Sequence, residues 1–359
     1  VIGILLSLSI GGCIFLCTTY MVENLKVHAE LSLISDDGLG SEYRISLKSD
    51  SLKDTIPEAV ADKIKNMPET ENVYATKYTM GELQISKNEF LSEEEWSDYF
   101  KYQNQEPYYI QRYDGICKQQ EDGNYRIKYN VYGYDEAMIE QLRDFILEGE
   151  IQPETIKNNN QVIVTANMDG QGNYFFYGKK PGDTITLRVP KTENYTDELL
   201  KFQSGEENYI EKEFEIAAIV NRPLAQEKDF LNTEVWKNAQ SVIMTGEQME
   251  ENFGITDYSF INASPADSAD AKIVSNQLLQ VIRDVPKAVL QDYTTAIATQ
   301  KGYLGQQQIF FSSIAVILLI ISLFHIVNSM SHTILTRRRE YGIILSLIHI
   351  SEPTRRRGI

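Results

Sequence analysis

Cysteine is scarce in this chain. Of three cysteines in 359 residues, Cys13 and Cys17 fall inside one apolar run, and Cys117 stands alone in the polar middle. No disulfide can close within that middle region, no metal-type cysteine spacing exists, and cysteine usage does not set the redox compartment. Histidine is also thin: of four, only His28 lies before residue 307. That argues against a Ser-His-Asp site or a histidine-rich metal site. GxSxG and CxxC are missing. The nearest approach to a phosphate loop, GNYFFYGKK ending at Lys180, fails the GxxxxGK[ST] spacing and puts lysine where a hydroxyl is required. Carboxylates are so numerous that no acid–base pair can be singled out. We therefore expect no catalytic, cofactor-binding or metal-binding residue in this chain. An excess of positive charge is lacking too: 34 basic against 51 acidic residues give a formal net charge of -17. A nucleic-acid partner, which needs a basic surface, is excluded on that ground.

The charge that is present is unevenly placed. Residues 1–21 carry none; six arginines and two glutamates lie after residue 306; the stretch 22–306 holds 28 basic and 49 acidic residues, a net of -21. The uncharged run VIGILLSLSIGGCIFLCTTYMV, residues 1–22, matches the length of a helix crossing the roughly 30 Å hydrocarbon core at about 1.5 Å per residue. A signal peptide would have a shorter apolar region and a small-residue cleavage site, which TTYMVENL does not offer. The sequence opens on Val1 rather than Met, so a processed or incomplete N-terminus is expected. The second run, IFFSSIAVILLIISLFHIVNSM at 309–330, lacks Asp, Glu, Lys and Arg and shows little of the polar face that a soluble core helix would have. Its polar exceptions, His325 and Asn328, are expected to pack between membrane helices rather than form a proton path. Arg337, Arg338 and Arg339 follow, and the positive-inside rule places them in the cytoplasm. The acidic block then lies outside.

That block reads as mixed α and β. SEYRISLKS, NVYATKYT, QVIVTAN, KPGDTITLRVP, EFEIAAIVN, SVIMT and YSFINAS read as strands. IPEAVADKIKNM reads as a helix with Val60, Ile64 and Met67 on one face, YDEAMIEQLRDFILEG as an amphipathic helix ending at Gly149, and DSADAKIVSNQLLQVI as another. Thr245 and Gln248 form a capping box for a helix that stops at Gly254. From Tyr293 a helical stalk runs into the second span, with Gly302 and Gly305 leaving room for a bend. The segment 85–134 is tyrosine-rich and reads as an insert packing its own aromatics; the competing reading is a partner surface made of Trp96, Tyr99, Tyr102, Tyr108, Tyr109 and Tyr113. NYT at Asn194 and NAS at Asn262 match the glycosylation pattern, a match that arises often by chance.

With the order of segments in place, the motifs resemble a family. ISLFHIVNSMSHTILTRRREYGI is similar to the second membrane helix and following loop of FtsX/MacB-type ABC transporter permeases, with Ile326, Val327, Asn328, Arg337, Arg339, Glu340, Gly342 and Ile343 in matching positions and Tyr341 in place of an isoleucine. YRIKYNVYGYDEAMIEQLRDFILEGE, QVIVTAN with YGKKPGDTITL, and FEIAAIVN resemble the MacB-like extracytoplasmic core in the same order. After REYGI the family pattern calls for LRAxG and further spans. This chain gives LSLIHISEPTR, which is similar to a translated sequencing-library adapter, so 345–359 is expected to be artefact and the chain a fragment of a longer permease.

The resemblance implies a membrane protein of α+β class, with two transmembrane helices flanking a mixed α/β extracytoplasmic domain on a helical stalk. The expected organisation is a first span at 1–22, a MacB-like core at 23–292 with an insert at 85–134, a stalk at 293–308, a second span at 309–330, a cytoplasmic coupling loop at 331–344 and the artefactual tail. It implies a bacterial cell membrane location with 23–308 outside, lipid contact, a permease dimer or pseudo-dimer, and a separate cytoplasmic ABC ATPase carrying ATP and Mg²⁺. Arg337, Arg338, Arg339, Glu340, Tyr341 and Gly342 would occupy or lead into the contact with that ATPase, where arginines suit carboxylates. The cargo class stays open among peptides, antibiotics, lipoproteins and cell-wall signals, the last as a wall-hydrolase activator. The alternative is a two-span sensor with an outer ligand domain, against which stands RRREYG directly after the second span, with no signalling helix apparent.

Overall fold

The computed structural model describes Gly12, Phe15, Thr19 and residues 41–49, 51–87, 107–168, 173–193, 195–203, 205–224 and 240–350, with backbone only at 108, 109, 300, 301, 304 and 347–350. The chain divides into two compact units, one of residues 34–297 and one of 1–33 with 298–359. The expected first span therefore lies outside the described residues except at three positions.

The first unit opens with β1 (Tyr43–Leu47), α1 (Glu58–Lys65) and β2 (Thr70–Ile85). Next come α2 (Pro107–Tyr113), β3 (Cys117–Gln119), β4 (Tyr125–Tyr134), α3 (Glu136–Gln141) and β5 (Ile146–Gly149). Then follow α4 (Pro153–Asn158), β6 (Gln161–Thr165), β7 (Asn167–Met168), β8 (Tyr174–Phe175), β9 (Thr184–Pro190) and β10 (Tyr209–Val220). The unit closes with β11 (Ser241–Thr245), α5 (Gly246–Phe253), β12 (Phe260–Pro265), α6 (Ala271–Ile282) and β13 (Ala288–Asp292). From there α7 (Thr294–Ile350) leads on.

Two architectures share strand β2. Its first half belongs to a sheet in the order β13-β1-β12-β2, all antiparallel. Two βαβ units, β1-α1-β2 and β12-α6-β13, build that sheet in the split arrangement of ferredoxin-like folds. Its core is Tyr43, Ile45, Ile64, Ile261, Val274 and Leu278 with their neighbours. Val60 and Ile64 face inward from α1, as their spacing predicts, and Met67 packs half-buried just beyond the helix. The second half of β2 enters a closed circuit: hydrogen-bonded neighbours run β2, β9, β10, β6, β11, β4 and back to β2. Closure leaves no unpaired edge in that ring. Its lining holds Leu83, Ile127 and Leu187, which sit opposite one another on adjacent strands. Gly81 lies where an added Cβ would meet Leu187 at 3.0 Å and Val131 at 3.1 Å.

Two expectations change. The stretch 85–134 is not an insert throughout, because β4 pairs with β2 over Lys77–Ile85 on one side and with β11 on the other. The four tyrosines of β4, Tyr125, Tyr129, Tyr132 and Tyr134, are all buried, and they come from both faces of the strand. YDEAMIEQLRDFILEG is not one helix: α3 gives way to a short 3-10 turn, and Ile146–Gly149 pairs with β10. Gly149 permits this with φ of 90°, where an added Cβ would lie 2.3 Å from the Ala217 carbonyl oxygen. Residues 331–344 are helical, and the helix continues through 345–350. No proline interrupts it before Pro353, and Gly302, Gly305 and Gly342 each cost only about 1 kcal/mol relative to alanine, so they do not break it. The capping box of Thr245 and Gln248 forms as read, and Gly254 closes α5 in the left-handed conformation. Asn262 is buried on β12, out of reach of glycosylation in the folded chain.

Candidate functional site

The site with the clearest physical signature is α7. Within it, Gly305–Ser346 contains a window of mean hydropathy 2.6, long and apolar enough to cross a membrane. Large apolar side chains point outward around the helix: Ile309 is 70% exposed, Phe310 62%, Phe324 66% and Val327 57%. Burying an apolar side chain of this size is worth about 1.5–3 kcal/mol, so a series of them in water would be strongly unfavourable, while in hydrocarbon they need no cover. The hydroxyls along the helix are turned inward to match. Ser313 donates to the Ile309 carbonyl at 2.6 Å, Thr333 to that of Ser329 at 2.8 Å and Thr336 to that of His332 at 2.8 Å.

His325 and Asn328 are both exposed on this helix. Arg337, Arg338, Arg339, Glu340, Tyr341 and Gly342 also lie on α7, every one of them exposed, and none of the three guanidinium groups pairs with a carboxylate among the described residues. They present a basic helical band directly after the apolar stretch. The tyrosine-rich candidates fare differently. Trp96, Tyr99 and Tyr102 lie outside the described residues, and Tyr108 and Tyr109 sit on α2 with only their backbone described. Tyr113 is fully buried, so it belongs to the core rather than to a partner surface.

The structure also holds a charged cluster that sequence reading did not find. Glu82 on β2 is the cross-strand partner of Lys128 on β4 and of Arg188 on β9. The three side chains are 2–3% exposed, with Lys128 Nζ 2.6 Å from one carboxylate oxygen and Arg188 2.8 Å from the other. Two cations thus share one buried anion. The surplus charge is absorbed locally: Arg188 donates to the carbonyls of Gln203 at 3.1 Å and Gly205 at 2.5 Å and stacks 3.5 Å from the Tyr209 ring centroid, while Lys128 lies 4.1 Å from that of Phe202. Burial pushes Lys128 below the usual lysine range, against the pull of Glu82. Burial, with the Glu82 charge second, pushes Tyr209 up to about 12. These residues project from the ring's outer wall, on the face opposite Leu83, Ile127 and Leu187, and the segment after the 3-10 turn Asp197–Leu200 covers them. The only sequence signal is a charge in the middle of an otherwise apolar strand, as in TLRVP.

Among the described residues no group of three or more His, Cys, Asp and Glu side chains is placed to hold a metal ion. Two open hollows near Gly149–Thr155, of about 210 and 560 Å³, are lined by Glu150, Gln152 and Thr155 without a nucleophile–base pair.

No family model matches the chain, and no curated protein matches it. Among solved structures it is similar to the periplasmic region of MacB from Actinobacillus actinomycetemcomitans, at 9% identity and a TM-score of 0.40, over 74% of this chain and 96% of that one. It is also similar to the extracellular domain of the noncanonic ABC-type transporter YknZ from Gram-positive bacteria, at 9% identity and a TM-score of 0.38, over 70% of this chain and 100% of that one.

Proposed function

We propose that the chain is a permease subunit of an ABC transporter, coupling ATP hydrolysis by a separate cytoplasmic ATPase to movement of its outer domain. The observation that carries this reading is the continuity of α7. One helix begins two residues after the edge strand β13, contains the apolar stretch and ends beyond Arg337–Arg339. An element of that kind transmits displacement from one end to the other without a lumen or a catalytic site. The RRREYG motif, on the family resemblance, supplies the ATPase contact, with arginines suited to paired carboxylates. Export and mechanotransmission both fit, for a peptide, lipoprotein, antibiotic or cell-wall signal.

The test is affinity purification of the tagged chain from its own cells, followed by an ATPase assay of the eluate. We expect ATPase activity to co-purify and to be lost in the triple variant Arg337→Glu, Arg338→Glu, Arg339→Glu, with the outer domain still folded. An eluate without ATPase, or a triple variant that retains it, would refute the coupling role. The helical course of 331–344 beyond the apolar stretch also favours a second reading, the two-span sensor, because such a receptor needs a helix beyond the span. Co-elution of a histidine kinase or other signalling enzyme in place of an ATPase is the result that would select it.

A further inference from the structure

The strap over the buried cations brings them no anion. Residues 201–203 and 205–208 run from the 3-10 turn Asp197–Leu200 to β10 without regular secondary structure. Arg188 Nη1 donates to the Gln203 carbonyl at 3.1 Å and Nη2 to the Gly205 carbonyl at 2.5 Å, and Arg126 Nη1 on β4 reaches the same Gln203 carbonyl at 3.4 Å. Two oxygens set against the two terminal nitrogens of one guanidinium reproduce the fork in which arginine holds a carboxylate. Here both oxygens are neutral. Among the described residues Glu82 is the only carboxylate paired with Lys128 or Arg188, and Arg126 is paired with none. The acids of the strap face elsewhere: Glu206 and Glu207 are exposed, and Lys201 pairs back to Glu198. The strap is also lightly held. Among the described residues the backbone N–H groups of Phe202, Gln203 and Gly205 take no part in a backbone hydrogen bond. Leu199, Leu200 and Tyr209 on either side are buried, so a segment of low local stability is slung between fixed ends.

We propose that this strap is a displaceable plug in a carboxylate-binding site, and that the site takes an acidic peptide segment, whose carboxylate replaces the Gln203 and Gly205 carbonyls on Arg188 and Arg126. A hydrogen bond to a charged acceptor is roughly twice as strong as one to a neutral acceptor, so a carboxylate competes with the strap where a neutral amide does not. The strap also shows what sits beside the carboxylate: the Phe202 ring centroid lies 4.1 Å from Lys128 Nζ. The favoured segment therefore carries an aromatic side chain next to its acid. A chain of net charge -17 exerts no general attraction on such a peptide, so its binding reports this site. The proposal needs neither an ATPase nor a signalling partner, and it stands or falls apart from both functions above.

Lys201 is half-buried and tied to Glu198, so a protease cuts after it only when the strap lifts. Cleavage there by endoproteinase Lys-C, in the full chain in detergent and read by fragment mass, follows the open fraction. The probe is acetyl-Ala-Phe-Glu-Ala-amide, and the control is the same peptide with glutamine in place of glutamate. At about ten times its apparent Kd the probe should speed this cut about tenfold. The control should leave it unchanged, and cleavage after the exposed Lys53 should not respond to either peptide. Arg188→Gln should abolish the response. Because that change also disturbs the buried pair with Glu82, the decisive variant is Arg126→Gln, which removes a half-buried donor and spares both pairs of Glu82. It should weaken the apparent Kd about fivefold. A Lys201 cut that ignores the probe, a glutamine control that matches it, or an Arg126→Gln chain that responds like the parent would overturn the proposal. Equal acceleration by sodium acetate would overturn the assignment to a peptide.

Discussion

Replacing Glu82 by glutamine changes one heavy atom and leaves shape and strand register intact, yet it removes the carboxylate that two buried cations share. Lys128 Nζ at 2.6 Å and Arg188 at 2.8 Å lose their anion while remaining 2–3% exposed. Breaking a buried pair in this way costs about 3–5 kcal/mol, because the remaining charges cannot return to water. That is a large part of the 5–15 kcal/mol that holds a typical domain together. The cluster is over-charged with cations, so the converse change should be milder: Lys128→Met leaves Glu82 and Arg188 as a balanced pair. We expect Glu82→Gln to lower stability by about 3–5 kcal/mol and Lys128→Met by clearly less. The sign of the pH dependence follows from Lys128. Its folded-state pKa is held down by burial, so unfolding takes up a proton and stability rises with pH between the folded and unfolded values. Losing Glu82 lowers the folded value further and extends that window downward, so the deficit of the variant should be greatest near neutrality and shrink toward pH 10. Hydrogen exchange of the full chain in detergent, read at peptides covering β2, β4 and β9, measures it directly. The expected loss of protection is between about a hundredfold and several thousandfold. A Glu82→Gln chain within about 0.5 kcal/mol of the parent, or a deficit that grows with pH, would refute the account of a buried, cation-rich row.

Two further outcomes follow from the backbone. Gly149→Ala forces a Cβ onto the Ala217 carbonyl oxygen at 2.3 Å and onto Ala218 Cα at 2.8 Å with φ at 90°; a loss of more than about 2 kcal/mol is expected, seen as a lowered thermal midpoint in detergent. Deleting 85–134 removes β4 from between β2 and β11 and should abolish folding, assayed by protease resistance; a protease-resistant product would show that the ring closes without it.

The sequence was most legible where structure is local. The Thr245–Gln248 capping box, Gly254 as a helix stop, and the inward face of α1 need only residues within one or two turns, and each formed as read. Strands such as β6, β9 and β11 were legible for the same reason, since alternation or a short apolar run is visible in a few residues. What was not legible depends on who lies beside whom. Glu82, Lys128 and Arg188 are far apart in the chain, and only the register of β2 against β4 and β9 brings them together. YDEAMIEQLRDFILEG carries a helical pattern, but pairing with β10 outweighs propensity in its second half. Tyr113, Tyr129 and Tyr132 look alike in sequence whether they cover a surface or fill a core, and only packing between elements distant in the chain buries them. The arginines after the apolar stretch were visible, but not where the helix beneath them stops, since a run without proline gives no clue until a breaker appears.

The antiparallel pairing of β1 with β13 has a mechanical consequence. Tyr43, where the chain arrives, and Asp292, where it departs, are directly opposed at one end of the same two-stranded edge. A pull applied equally to both connections translates the two strands together and puts no load on the hydrogen bonds between them. A pull on one connection alone loads the end bonds one after another, so the edge would unzip at low force rather than resist in shear. The rim of the sheet thus tolerates a load shared by both connections and yields to one that separates them.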